Sequence, residues 1–446
     1  MKCPVLRCVQ AFSRFSFYCA GAILLSAFLA SGANAQSDPV REKNETPTPK
    51  ILAGYFEEWS IYAANYNVAN LQQNHVADKI SHLIYAFANI SVTASGTPSA
   101  SCQIADPQAD YQSPYLPSVN GTPYAGPLYG NFAALQQLKQ LHPNLKILIS
   151  LGGASAANRA AFSTIAASAN LRSQLAASCI DMFVNGNIAP GLSAPDLFDG
   201  IDIDWEFPAA ADKQNFTALL REFRKQLEAL GQQNDRHYLL TIAAPAAAEN
   251  YSNIELHKVG ELLDFLNVGT YDYHGSWEST ANFQAPLFDS RQNPGRSDDF
   301  YIEFTVESYL DAGVPPRKIV LGVPFYGYGW TQVEDEHRGL YQGSSRPAPS
   351  PTGDSLATPG VATYASIQRL TGFTRYFDAE TLAPWLYSSE SGTFWTYDDP
   401  ISVAIKMFYV NRRVPGGLGG AFFWAFKDDD SAGTLAKTMA SELGRR

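Results

Sequence analysis

Asp199-Gly200-Ile201-Asp202-Ile203-Asp204-Trp205-Glu206-Phe207-Pro208 sets three acids at every second position of a strand-like run. Side chains alternate along a strand, so Asp202, Asp204 and Glu206 share one face while Ile201, Ile203 and Trp205 share the other. Strand rise puts each acid roughly 7 Å from the next. Packing alone has no use for this. Buried carboxylates are costly, and three together repel unless they share protons, find donors or bind a cation. Crowding also raises at least one pKa, which is how a carboxyl stays protonated near neutral pH to act as a general acid. An ion-paired interior and a Mg²⁺ or Ca²⁺ site are the competing readings, and no Lys, Arg or Asn occurs within the run to balance it.

Outward from this run the same short apolar segments recur. Strands are predicted at Ile51–Phe56, His82–Asn89, Lys146–Gly152, Gly200–Glu206, Tyr238–Ala244, Phe265–Tyr271, Ile319–Pro324 and Gly420–Trp424. Helical patterns separate several of them, at Phe132–Leu141, Leu171–Val184, Lys213–Leu230, Ile302–Ala312 and Pro400–Val410. Strands alternating with helices predict an α/β fold, a (β/α)₈ TIM barrel with its chemistry at the C-terminal strand ends. A doubly wound open sheet usually carries a glycine-rich turn after its first strand, and Gly54-Tyr55-Phe56-Glu57-Glu58-Trp59 is no such turn. Between the seventh and eighth strands, residues 328–397 are too long for a simple connection. A helix-like piece at Thr363–Leu370 and strand-like pieces at Thr374–Asp378, Pro384–Ser388 and Thr393–Tyr397 predict a small α+β subdomain there. The barrel would then comprise residues 50–327 and 398–446.

The composition is that of a globular protein, with 46% hydrophobic and 17% charged residues among 446. A net charge of −11 leaves no basic excess to neutralise phosphates, which argues against a nucleic-acid partner. Residues 1–35 read as an export signal: Lys2, Arg7 and Arg14 are basic, Phe17 to Ala30 is apolar, and Ala33-Asn34-Ala35 is a small-residue cleavage site. A polar leader follows over residues 36–49. The expected mature product is secreted, extracellular or periplasmic, monomeric, and without a membrane association once the signal is cleaved. It would retain Cys102 and Cys179, which could pair in an oxidising compartment, although sequence leaves their geometry open. Neither sits at metal-ligand spacing with His or Asp, so no metal and no cofactor is expected.

The order D-G-x-D-x-D-W-E-x-P resembles the signature of glycoside hydrolase family 18, the chitinase family. Ser150-Leu151-Gly152-Gly153 is similar to that family's turn at the third strand, and Asn267-Val268-Gly269-Thr270-Tyr271-Asp272-Tyr273-His274-Gly275 to its sixth-strand motif. Gly322-Val323-Pro324-Phe325-Tyr326-Gly327 and Gly419-Gly420-Ala421-Phe422-Phe423-Trp424 are similar to its last two strands. The insertion resembles an extra subdomain that deepens the cleft in one subgroup.

This resemblance implies a chitinase acting on chitin or chito-oligosaccharides by a retaining, substrate-assisted mechanism. Glu206 would protonate the glycosidic oxygen while the substrate's acetamide attacks the anomeric carbon and forms an oxazolinium ion. Asp204 would hold the acetamide N–H, with Asp202 behind it sharing a proton, and Tyr271 would bind the acetamide from the other side. Asp272 would contact the sugar, with Tyr326 a further substrate contact; Trp424 would form its floor, and Tyr55 and Trp59 would flank it. Four positions depart from the family pattern. Gly269 stands where Met is usual, Ala154 where an aromatic is common, Ala64 and Tyr328 where Arg is frequent. A chitin-binding lectin of the same fold, and an enzyme acting on N-glycan cores or peptidoglycan, are the alternatives; retention of Glu206 speaks against the lectin.

Overall fold

Eight parallel strands close into a barrel in a computed structural model, which describes residues 49–93, 96–344 and 346–445. The strands are Ile51–Glu57, His82–Thr93, Lys146–Gly152, Gly200–Asp204, Leu239–Ala244, Phe265–Val268, Ile319–Pro324 and Gly420–Trp424. Each pairs in parallel with its neighbours, and the first pairs with both the second and the eighth. The fold is the (β/α)₈ barrel expected from the alternation. Residues from Pro49 onward form one compact unit. The export segment and all of the leader except Pro49 lie outside the described residues.

The helices form because their apolar residues recur at helical spacing and face the barrel. In Lys213–Asn234 the buried Phe216, Leu219, Leu220, Phe223 and Leu227 make one stripe, and the helix stops at Asp235, whose φ of 52° is left-handed. Helix Pro400–Arg412 starts with proline in its first turn. Asp399 accepts from the N–H groups of Ile401 and Ser402 at 3.0 and 3.1 Å, and its own N–H donates to the Ser402 hydroxyl oxygen at 2.9 Å.

Two apolar layers result. Ile147, Ile149, Ile201, Ile203 and Trp205 point outward to pack on the helices, with Trp205 stacked on Phe162 at 5.3 Å. Ala53, Tyr55, Ile84, Ala86, Phe265, Val320 and Phe422 fill the interior. An added strand, Ser99–Ile104, folds back antiparallel on the long second strand. There Cys102 is bonded to Cys179 at the end of helix Ala169–Cys179, with Cα atoms 5.0 Å apart. The two cysteines therefore form one disulfide, which joins this hairpin to the helix layer.

A second, antiparallel sheet stands in the insertion. Its strands run in the order Arg346–Pro347, Tyr326–Thr331, Thr393–Thr396, Ala383–Ser388 and Thr374–Asp378, and Val361–Thr363 also pairs with Tyr326–Thr331. The short helix Tyr364–Ile367 completes the α+β character. Its core of Trp330, Leu340, Trp385, Tyr387 and Phe394 takes in Ala281 and Phe283 from the loop after the sixth barrel strand. That loop and the insertion are thus one packed body on the face where the parallel strands end.

Candidate active site

Register builds the site. Ser150 on the third strand lies beside Asp202 on the fourth, and Asp202 beside Thr241 on the fifth, so the three side chains form one inward row. Asp202 is fully buried. It accepts hydrogen bonds from the hydroxyls of Thr241 at 2.5 Å, Ser150 at 2.7 Å and Tyr55 at 3.0 Å, and from the Asn267 amide at 3.4 Å. Burial pushes its carboxyl upward and these four donors pull it back. Four neutral donors thus satisfy the oxygens of this buried acid. Burial outweighs them, so the carboxyl stays above its usual value.

Asp204 instead turns to Glu206, to which it is hydrogen-bonded. Burial first, then the charges of Glu206 and Asp202, hold Asp204 well above the usual carboxylate range. Burial also raises Glu206, while the bond from Asp204 lowers it. Both carboxyls therefore lie above their usual values, Asp204 the more strongly. Asp204 Oδ1 is buried without a partner. Glu206 lies just past the strand, which ends at Asp204, and is half-buried at the cleft. Gly152 makes room for this strand end: its φ is +118°, and a Cβ there would fall 2.3 Å from the Asp204 carbonyl oxygen. Asp199, at the other end of the run, serves structure, accepting from Lys139 at 2.6 Å and from the Ile147 N–H at 3.0 Å.

The strand ends surround a cavity of about 440 Å³ lined by Asp204, Glu206, Tyr271, Asp272, Tyr326 and Trp424, a volume within the ~300–1,000 Å³ of small-ligand sites. The sixth strand ends at Val268, so Tyr271 and Asp272 belong to the turn beyond it. Asp272 takes a left-handed φ of 59° and accepts from the hydroxyls of Tyr326 at 2.6 Å and Tyr328 at 3.0 Å. Burial raises its carboxyl and the tyrosines lower it. Its surface is nevertheless exposed to the open cleft, so water offsets much of that burial and the two hydroxyls favour the ionised form. Burial and the charges of Asp272, Glu206 and Asp204 push the Tyr271 hydroxyl well up, which keeps it a neutral donor.

The aromatic residues divide. Trp424 is half-buried on the cavity wall. Trp59, 39% exposed, does not line the cavity; it meets Phe87 at 5.9 Å, and Phe87 stacks on Trp424 at 6.0 Å. The three rings make a continuous apolar strip. Tyr55 touches the cavity but is only 2% exposed, and its hydroxyl serves Asp202. It thus braces Asp202 from the cavity wall. Sequence reasoning missed Phe87, hidden in an apolar strand, and Trp277, 59% exposed at the cavity with its ring 4.9 Å from Tyr328. It also gave no role to Ser150, Thr241 or Asn267, although Ser150 and Asn267 stand within the quoted motifs. Among the described residues no group of three His, Cys, Asp or Glu is placed to hold a metal ion, and no helix is long and apolar enough to cross a membrane.

The family model for glycosyl hydrolases family 18 matches residues 51–429. The chain belongs to glycoside hydrolase family 18. Chitinase A1 of Niallia circulans is 34% identical over 88% of this chain and 58% of its own length. Chitinase 1 of Aphanocladium album is 31% identical over 88% of this chain and 85% of its own. The solved catalytic domain of chitinase B from Arthrobacter TAD20 superposes with a TM-score of 0.79 at 30% identity, covering 89% of this chain and 95% of that one. The chain thus spans about 58% of the Niallia relative and of chitinase C from Streptomyces lividans. Two departures from the family 18 pattern have visible consequences. Tyr328 supplies a neutral hydroxyl to Asp272 where Arg is frequent, and a Cβ at Gly269 would meet nothing closer than 3.6 Å, so the missing side chain leaves space beside Tyr271.

Proposed function

We propose that the protein is a chitinase, hydrolysing β-1,4 bonds between N-acetylglucosamine units with retention, the substrate's own acetamide acting as nucleophile. The observation that carries this reading is the hydrogen-bonded pair of Asp204 and Glu206 at the cavity, both carboxyls raised, which we read as sharing one proton, with Asp202 fixed behind it and one oxygen of Asp204 unpartnered. An acetamide N–H donated to that carboxyl favours its ionised form, which leaves the shared proton on Glu206. Glu206 gives the proton to the glycosidic oxygen as the bond from C1 breaks, and the acetamide oxygen closes on C1. Asp204, now an anion, balances the positive oxazolinium, and Tyr271 donates to the acetamide. Water then attacks C1, loses its proton to Glu206 and reopens the ring. This family is an exception to the scheme in which a second carboxylate is the nucleophile.

Within this proposal Asp272, Tyr326 and Trp424 hold the reactive sugar, and Trp59 extends the aromatic strip to neighbouring units. Residues 328–397 form a cleft wall. We further propose action outside the cytoplasm, supported by the basic, apolar and small-residue order of residues 1–35 and by the Cys102–Cys179 disulfide.

The test uses paired substrates. Oligomers carrying N-acetyl groups should be cut, and oligomers lacking the N-acetyl at the reactive unit should be left intact at that bond, because their nucleophile is gone. Rapid cleavage of cellulose oligomers would sink the reading.

A further inference from the structure

Arg159 has no part in the scheme above, yet it is the cation that bears on its acid. It sits in the first turn of helix Ala156–Ala166, after the third barrel strand, with an exposed side chain. Its partners are two main-chain carbonyls: Nη1 donates to Ala154 at 2.6 Å and to Glu206 at 3.3 Å. The first belongs to the turn after the third strand and the second to the turn after the fourth.

That second carbonyl is where a tie is needed. The fourth strand pairs with the third as far as Asp204 and with the fifth as far as Ile203. The Gly153 N–H takes the Asp204 carbonyl at 2.9 Å, and there the ladder ends. Glu206, two residues on, has no sheet bond to set its peptide plane. A peptide plane free to rotate would swing the carboxyl it carries.

We propose that Arg159 is a positioning residue for Glu206, clamping the peptide of the acid to the turn after the third strand so that its carboxyl is held at the cleft. The inference rests on the reading of Glu206 as the proton donor. The guanidinium also acts through its charge. It lowers the Glu206 carboxyl, against burial and against Asp272. The groups facing Glu206 are Asp204 from the fourth strand, Tyr271 and Asp272 from the turn after the sixth, and Arg159 from the helix after the third. Arg159 is the only cation in that set.

The experiment compares wild type, Arg159→Ala and Arg159→Lys on one chito-oligosaccharide, recording kcat, KM and the pH profile of kcat/KM. In Arg159→Ala, kcat should fall about tenfold with KM within about twofold, because a misplaced acid costs rate and leaves binding alone. Its alkaline limb should move to higher pH, since Glu206 without the cation keeps its proton longer. Arg159→Lys keeps the charge but lacks the planar fork. It should restore the limb to the wild-type position while recovering only part of kcat. An Arg159→Ala enzyme with wild-type kcat, or one whose loss lies in KM with an unmoved limb, overturns the role of Arg159 alone. A wild type that leaves the oligosaccharide intact overturns the proton-donor reading and this inference with it.

Discussion

Glu206→Gln is expected to lower kcat on chito-oligosaccharides by about 10³-fold, the middle of the range for a lost general acid. Affinity for the same oligosaccharides should change little, since Gln has the same shape and can still bond to Asp204. The wild-type pH profile should carry the mark of the same group. Burial raises the Glu206 carboxyl from its usual value, and the acid must be protonated to act. Activity therefore falls as pH rises through that raised value, and the alkaline limb should lie above the ordinary carboxylate range. Titration of binding by calorimetry and single-substrate kinetics on the variant check both halves. A kcat close to wild type would remove Glu206 from the role.

Asp204→Asn should cost about 10²-fold or more in kcat, comparable to losing one preorganised group aimed at transition-state charge. The substitution separates two duties of this side chain. Asp204 is hydrogen-bonded to Glu206, a bond that an Asn amide can imitate, so the fold and the placement of Glu206 should survive. Once the acetamide attacks, Asp204 has to be an anion beside a positive ring, which Asn cannot become. The loss should therefore appear in kcat, with KM equal or lower. A variant that loses affinity while keeping kcat would show that the side chain binds substrate without assisting the reaction.

The barrel was legible because its evidence is local. Runs such as Lys146–Gly152 and Ile319–Pro324 are apolar on both faces, as buried parallel strands require, and the structure has strands over the same residues. The fourth and sixth strands end two or three residues before the sequence reading placed them. There the chain leaves the sheet to present Glu206 and Tyr271 to the cavity, so the residues proposed for the reaction sit where the strand pattern stops. Ser99–Ile104 escaped notice because Ser99, Ser101 and Gln103 give it little apolar signal, and it gains stability by pairing with the second strand. The support of Asp202 was not legible at all. Tyr55 and Asn267 are separated from it by 147 and 65 residues, and only barrel closure brings them to it. The family resemblance named Tyr55 for the ligand, and its bond to Asp202 is a second contact that the resemblance did not carry.

The insertion was legible as structure through the alternating aromatics of Pro384–Ser388 and Thr393–Tyr397. Which of those rings face a ligand was not, since most of them are spent on its own core. Trp385, Tyr387 and Phe394 are buried there, while Tyr326 and Tyr328 of the same sheet reach the cavity through Asp272.

In the proposed mechanism the substrate's acetamide attacks C1 from the face opposite the departing oxygen, with water arriving afterwards from the side that oxygen left. Proton NMR of a chito-oligosaccharide digest, recorded in the first turnovers before mutarotation, tests this most directly through the configuration of the newly formed reducing ends. The β-anomer should be in excess at the earliest times and decay to the equilibrium mixture; new ends appearing first as the α-anomer would mean single displacement by water and would rule out attack by the acetamide.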